Sequence, residues 1–191
     1  IMYKNSNRLL KLINQLLDFR KAESGNLSLM VQNDDLVSFV RNVFTVFEEI
    51  ALEKEIKFLF LSGEKEISAW FDNDKIEKIL YNLLSNAFKF TPKGKSIKVS
   101  LEIENKDHAV IKVIDYGIGI PKEELNSVFE RFYQTKNKNI SSQGGSGLGL
   151  AYIKHLVKIH KGEINIKSEL HKGTTCSVTI PIDKSAYLKN S

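Results

Sequence analysis

Two long runs of alternating residues, at about 97–104 and 109–115, constrain the fold more than any other feature of this sequence. Only the four residues Asn105 to His108 separate the two runs, and this spacing predicts an antiparallel hairpin. Further short strands are predicted at about residues 27–31, 56–61, 67–71, 163–168 and 174–180. We therefore expect a largely antiparallel sheet.

Three amphipathic helices are predicted between these strands, because apolar residues recur there with a period near 3.6. Asp34 or Asp35 caps the first helix, Asp72 to Asp74 opens the second, and the third runs from about Gly147 to His160. Strands mixed with three main helices are typical of an α+β fold, in which a layer of helices covers the sheet.

Residues 1–23 have the pattern of a further, leucine-rich amphipathic helix that ends at Ser24-Gly25-Asn26. No helical partner follows it directly, so its apolar side is predicted to pack on another chain or on a segment outside this sequence. Packing on its own domain is the alternative. The chain is accordingly divided into a helical segment at 1–26, a domain at 27–184 and a tail at 185–191.

Composition and charge exclude several classes of protein. The net charge of +5 comes from lysines spread along the chain, so we expect no nucleic-acid binding, although a polyanionic ligand such as a nucleotide would suit it. Cys176 is the only cysteine, which excludes a disulfide framework and a cysteine-based zinc site. No apolar run reaches the roughly 18 residues of a membrane span.

The second predicted helix carries Asn82, Asn86 and Lys89 at spacings of four and three, which places them along one edge. Each of them alone could belong to a solvated face. Beside core-facing positions, where unpartnered amides are costly, the three together favour a ligand site. Amide oxygens suit a hard cation such as Mg²⁺, and a lysine suits phosphates.

The sequence Asp115-Tyr116-Gly117-Ile118-Gly119-Ile120 follows directly on a hydrophobic strand. A carboxylate at a strand end can accept from the amino group of adenine and repels the carbonyl of guanine, while glycines allow close backbone approach. An ordinary tight turn is the alternative for this motif on its own.

The glycine-rich segment QGGSGLGL, residues 143–150, leads into the third predicted helix. Free amides at the positive end of a helix favour an anion. No Gly-Lys-Ser/Thr follows and no strand precedes the segment, so it is neither a Walker loop nor a dinucleotide-binding fingerprint. The long polar stretch between Tyr133 and Gly147 predicts a lid that clamps the bound phosphate.

In their order and spacing these motifs resemble the catalytic and ATP-binding domain of sensor histidine kinases, whose superfamily also contains gyrase, the Hsp90 chaperones and the MutL mismatch-repair proteins. The similarity covers the whole chain. The matching stretches are the N box at 74–92, the first glycine box at 115–120, the F box at 129–133 and the second glycine box at 145–150. Residues 5–19 are similar to the second helix of the dimerisation and phosphoacceptor hairpin, particularly that of hybrid two-component sensors.

This resemblance implies a fold and a ligand. The fold is a Bergerat-type α/β sandwich, a mixed and largely antiparallel sheet covered by three helices and preceded by one long helix. The ligand is ATP with Mg²⁺: Asn86 would hold the metal, Asn82 and Lys89 would act on the phosphates as catalytic residues, and Asp115 would bind the adenine amino group. The other nucleotide-binding residues it implies are Phe90, Gly117, Gly119, Ile120, Tyr133, Gly145, Gly147, Leu148, Gly149 and Thr174.

Two positions depart from the family pattern. Superfamily members that hydrolyse ATP carry a glutamate at the position of Asn82, and an amide cannot act as a base, so phosphoryl transfer should be favoured over hydrolysis. Many kinases carry an arginine at the position of Gln134. Arg131 or Lys136 would have to stabilise the transferred phosphoryl group instead.

The resemblance also implies partners. The acceptor histidine of the family is followed by an acid, and none of the four histidines here is; all are predicted to lie in turns or on helix surfaces. The chain is therefore expected to phosphorylate a histidine on a separate hairpin, with a response-regulator receiver next, in a homodimeric sensor whose cytoplasmic portion it forms beneath a membrane anchor. A degenerate nucleotide-binding module and a slow ATPase are the alternatives.

Overall fold

The computed structural model describes residues 27–134 and 146–188, together with Leu17 and Arg20. The predicted helix at 1–23, apart from those two residues, lies outside the described residues. So do residues 135–145 of the lid predicted at 134–146, Gly145 included, and the last three residues of the chain.

Within the described part of the chain, seven strands form two sheets. They are β1 (Gln32–Asp35), β2 (Lys57–Ser62), β3 (Ser68–Phe71), β4 (Ser96–Glu104), β5 (His108–Asp115), β6 (Glu163–Glu169) and β7 (Gly173–Pro181). The main sheet has the order β2-β4-β5-β7-β6, in which β2 and β4 are parallel and the other neighbours antiparallel. Strands β1 and β3 form a separate antiparallel pair. The predicted mixed, largely antiparallel sheet is confirmed.

Five helices accompany these strands in the described residues. They are α1 (Leu36–Val46), α2 (Glu48–Glu53), α3 (Asn73–Phe90), α4 (Gly149–Ile159) and α5 (Lys184–Leu188). Asp35 caps α1 by accepting from the amides of Val37 and Ser38, and Asp72 caps α3 by accepting from the amide of Lys75. The apolar sides of α1, α3 and α4 form one core with the facing side of the main sheet. Among the described residues, no helix combines the length and apolar character needed to cross a bilayer.

The strand predicted at 27–31 is wrong, because that segment has no regular structure and β1 begins only at Gln32. Gln32 pairs with Phe71, the last residue of β3. The next residue, Asp72, turns into the cap of α3, and its Oδ2 accepts the amide of Met30 at 2.7 Å. A side chain therefore takes the hydrogen bond that a longer strand would have offered to this segment.

His160 is fully buried, which corrects the prediction that it lies on a helix surface. Its Nδ1 lies 2.9 Å from the carbonyl oxygen of Leu156, and its Nε2 accepts the Asp72 amide at 3.3 Å. A carbonyl only accepts and an amide only donates, so the ring is neutral with its proton on Nδ1. Burial lowers the pKa of His160, and the ring ties the end of α4 to the start of α3.

Candidate functional site

The polar edge predicted on the second helix is present on α3. Asn82 and Asn86 are half-buried there, and the Asn86 side-chain nitrogen donates to Oδ1 of Asn82 at 3.2 Å. This bond orients the Asn86 amide, since its nitrogen is used and its oxygen receives no hydrogen bond from the described residues. That oxygen is available to a hard cation, which fits the ligand preference of Mg²⁺.

Lys89 lies one turn further along the same edge. Its Nζ is 4.5 Å from the centroid of the Phe90 ring, and the side chain is half-buried. Burial lowers the pKa of Lys89. Partly removed from water, this amine is placed to interact strongly with an anion that enters from solvent.

Helix α4 begins directly against this edge. A Cβ on Gly149, the first residue of α4, would lie 2.7 and 2.8 Å from the side-chain nitrogen and oxygen of Asn82, so only glycine fits there without a shift. Leu148 gives α4 no side-chain cap. The Leu148 amide itself donates to Oγ of Ser146 at 3.2 Å, so it can bind a phosphate only if Ser146 moves away.

The F box packs on the second glycine box. The Phe132 amide donates to the Gly147 carbonyl at 3.0 Å, and Gly147 has a φ of +69° with no room for a Cβ beside the Phe132 backbone. Partial burial and the neighbouring carboxylates of Glu123, Glu124 and Glu130 raise the pKa of Tyr133 to about 12, so its hydroxyl stays protonated.

Asp115 ends β5 as a buried carboxylate, only 9% exposed. Its Oδ1 accepts the amide of Gly117 at 2.9 Å and that of Thr174 at 3.3 Å. Burial raises the pKa of Asp115, and these two hydrogen bonds partly oppose that effect. Because no described residue donates to Oδ2, this oxygen remains available to a hydrogen-bond donor on a ligand.

Glycines bring the Asp115 loop against two neighbours. A Cβ on Gly117 would lie 2.3 Å from the carbonyl oxygen of Phe90, the last residue of α3, and that carbonyl also accepts the Ile118 amide at 3.2 Å. Gly119 has a φ of +69°, and its Cβ would lie 2.0 Å from the carbonyl oxygen of Glu169. The loop therefore fits tightly between the end of α3 and the β6–β7 turn.

Helix α3 thus connects the predicted site residues. Asn82 contacts the start of α4, and eight residues later, about 12 Å along the axis, Phe90 contacts the loop that holds Asp115. Of the predicted site residues, Gly145 and Lys136, the alternative to Arg131, lie outside the described residues.

Sequence reasoning missed one residue at this site, Ser168. Its Oγ accepts the Ile120 amide at 2.8 Å and lies 2.9 Å from Oγ1 of Thr174. The available signal was the alternation of β6, in which Ile164 and Ile166 pack towards the core and a serine occupies the next position on that side.

The site combines a buried carboxylate beside glycine turns, a polar amide edge and an uncapped helix start, and α3 connects the three. These are the features of a nucleotide-binding α/β sandwich. A family model described as "Histidine kinase-, DNA gyrase B-, and HSP90-like ATPase" matches residues 71–184. The chain belongs to this family, and it is a catalytic domain of the histidine kinase type, which confirms the recognition made from its motifs.

Comparisons with individual proteins agree. The chain is 35% identical over 193 residues to the sensor histidine kinase TmoS of Ectopseudomonas mendocina, covering 100% of this chain and 20% of TmoS. The catalytic domain of histidine kinase ThkA has a TM-score of 0.71 at 26% identity, covering 80% of this chain and 98% of that one. Full-length ShkA, solved in complex with AMPPNP, has a TM-score of 0.84 at 24% identity over 94% of this chain and 37% of ShkA, and it supports the fold.

The chain spans only part of its curated relatives, from 13% of hybrid signal transduction histidine kinase D of Dictyostelium discoideum to 30% of WalK of Bacillus subtilis.

Proposed function

We propose that this domain binds ATP with Mg²⁺ and transfers the γ-phosphoryl group to a histidine on a dimerisation hairpin of a two-component sensor. The observation that carries this proposal is the arrangement along α3. At one end the free oxygen of Asp115 takes the adenine amino group, and at the other the Asn82–Asn86 edge meets the uncapped start of α4, where phosphates are favoured.

Asn86 is the residue that would hold the metal. Mg²⁺ commonly takes one or two protein ligands and completes its shell with phosphates and water, so a single oriented amide oxygen fits this role. When bound, Mg²⁺ would neutralise negative charge on the phosphates. The described residues contain no cluster of three or more acidic, histidine or cysteine side chains that could hold a metal in another way.

The residues around the phosphates favour transfer over hydrolysis. Asn82 stands where a base would be needed to activate water, and its Oδ1 already accepts from Asn86. An amide has no basic lone pair for this purpose. Lys89 would offset the charge of the phosphates, and Arg131 or Lys136 would supply positive charge to the transferred phosphoryl group, because Gln134 carries none.

The partners and location belong to this proposal as well. Residues 1–26 would form the second hairpin helix, 27–184 the catalytic domain and 185–191 a tail. Together they would belong to the cytoplasmic portion of a homodimeric, membrane-anchored sensor. A response-regulator receiver would accept the phosphoryl group next. Support comes from the relatives' names, from similarity to a hybrid histidine kinase, and from the solved complex of ThkA with the response regulator TrrA.

Transfer to a supplied hairpin tests this function. The chain is mixed with ATP labelled on the γ-phosphate and with a purified histidine-bearing hairpin, and the expected product is an acid-labile phosphohistidine on the hairpin. A hairpin with that histidine replaced by glutamine is the control and should stay unlabelled. Bound ATP without any label would instead support a degenerate binding module, and free phosphate in large excess over label would support an ATPase.

A further inference from the structure

Three polar side chains form a single row across the main sheet. Ser168 of β6 pairs with Thr174 of β7, and Thr174 pairs with Asp115 of β5. Residues two positions further along the same strands, Ile166, Cys176 and Val113, belong to or pack against the core. Side chains alternate along a strand, so the polar row lies on the side that faces the helices, where the site is.

The hydrogen bonds of Ser168 determine where its proton lies. The Ile120 amide lies 2.8 Å from Oγ and can only donate to it. The Gly173 carbonyl oxygen lies 2.8 Å away and can only accept, so the hydroxyl proton of Ser168 is used there. The remaining neighbour, Oγ1 of Thr174 at 2.9 Å, must therefore donate to Ser168.

With these hydrogen bonds assigned, the hydroxyl of Thr174 has no proton left to donate to a ligand. A threonine hydroxyl has one proton and two lone pairs, and here the proton is committed to Ser168. Towards the site Thr174 presents lone pairs only, next to the free Oδ2 of Asp115, whose other oxygen accepts the Thr174 amide. This end of the site is thus an edge of acceptors.

We propose that Ser168 sets the hydrogen-bond polarity of the nucleobase pocket and is a specificity-determining residue that acts through Thr174. By holding the Thr174 proton it makes the pocket favour a purine with an amino group at position 6 and disfavour one with a carbonyl there. The inference rests on the proposed nucleotide-binding function and extends it to a residue whose hydroxyl is used by three protein groups and acts on the base through Thr174.

ATP and inosine triphosphate are suitable probes, because their bases differ only around position 6. Calorimetry gives both dissociation constants for the unmodified chain, for Ser168→Ala and for Thr174→Val, with the double variant completing the cycle. Ser177→Ala is the matched control. Ser177 is a half-buried serine of β7, three residues after Thr174, and its side chain therefore points to the opposite side of the sheet.

Ser168→Ala frees the Thr174 proton to donate to a 6-carbonyl, so the preference for ATP over inosine triphosphate should fall about tenfold, the effect of one hydrogen bond. In the Thr174→Val background the same change should alter the preference by less than about twofold. Ser177→Ala should leave it unchanged.

The inference is overturned if Ser168→Ala weakens the binding of ATP and of inosine triphosphate equally, both in the unmodified chain and in Thr174→Val. Ser168 would then have only a structural role. An unmodified chain that binds neither nucleotide overturns the proposed function together with it. An unmodified chain that prefers ATP, with a preference that survives Ser168→Ala, overturns only the role of Ser168.

Discussion

Replacing Asp115 with asparagine separates the ligand role of this side chain from its role in the fold. Its Oδ1 accepts two backbone amides, at 2.9 and 3.3 Å, and an asparagine oxygen can accept both. The new NH₂ group then stands at the position of Oδ2 and meets the adenine amino group, donor against donor. Losing a hydrogen bond to a charged acceptor costs about 1.5–3 kcal/mol, so ATP should bind about 10- to 150-fold more weakly.

The same substitution should not lower thermal stability. Burial raises the pKa of Asp115 above its ordinary value of 3.8, so the folded state holds the proton more tightly than the unfolded chain does. The stabilisation from this group is present below that value and is lost as pH rises through the raised pKa. Near neutral pH a neutral asparagine removes an ionisation that the fold disfavours.

Calorimetry with ATP and thermal melting without nucleotide measure the two effects separately. Asp107→Asn, in the exposed β4–β5 turn, is the matched control and should leave ATP affinity unchanged. ATP binding by Asp115→Asn within about twofold of the unmodified chain would show that Asp115 does not bind the adenine amino group. Lost binding accompanied by an equally large loss of folded protein would instead give Asp115 a role in the fold.

Four further substitutions test other contacts. Gly149→Ala places a methyl group 2.7–2.8 Å from the Asn82 amide and should weaken ATP while leaving adenosine binding unchanged in the same titration. Asn82→Glu supplies the missing base and should raise steady-state phosphate release above that of the unmodified chain. Burial lowers the pKa of His160 from 6.5, so urea unfolding should show stability falling as pH drops below that value, and His160→Asn should abolish this dependence. Gly119→Ala, at φ +69° and 2.0 Å from the Glu169 carbonyl oxygen, should cost at least about 1–3 kcal/mol of unfolding free energy in the same assay.

Local rules predicted the features of the fold that depend on neighbouring residues. The caps were predicted at Asp34 or Asp35 and at Asp72 to Asp74, and Asp35 and Asp72 provide them, because a short acidic side chain reaches the first free amides wherever the helix is placed. The parallel pairing of β2 with β4 was not predicted, since it joins segments about 40 residues apart and depends on which strand edge the packed helices leave open. The absence of a strand at 27–31 also involves a contact between distant segments, since the Met30 amide donates to the side chain of Asp72.

In the site, too, local rules predicted the features that depend on neighbouring residues and missed those that depend on contacts between distant segments. Asn82 and Asn86 share an edge because helical geometry alone requires it, and Asp115 lies at the end of its strand as its motif indicates. The buried position of His160 depends on its hydrogen bonds with the Leu156 carbonyl of α4 and the Asp72 amide before α3, and no local pattern shows these contacts. The role of Ser168 depends on register across two strands, which is visible only once the sheet is assembled.

The central claim is that the phosphates of ATP lie between α3 and the start of α4, and a paramagnetic metal tests it most directly. Mn²⁺ in place of Mg²⁺ broadens the amide resonances of nearby residues in an NMR spectrum of the isotope-labelled chain. With Mn²⁺ and ATP, resonances around Asn86 and in the first turn of α4 should disappear first, while those of α1 persist, and Asn86→Leu should remove this pattern. Broadening centred elsewhere, or unchanged in Asn86→Leu, would contradict the account.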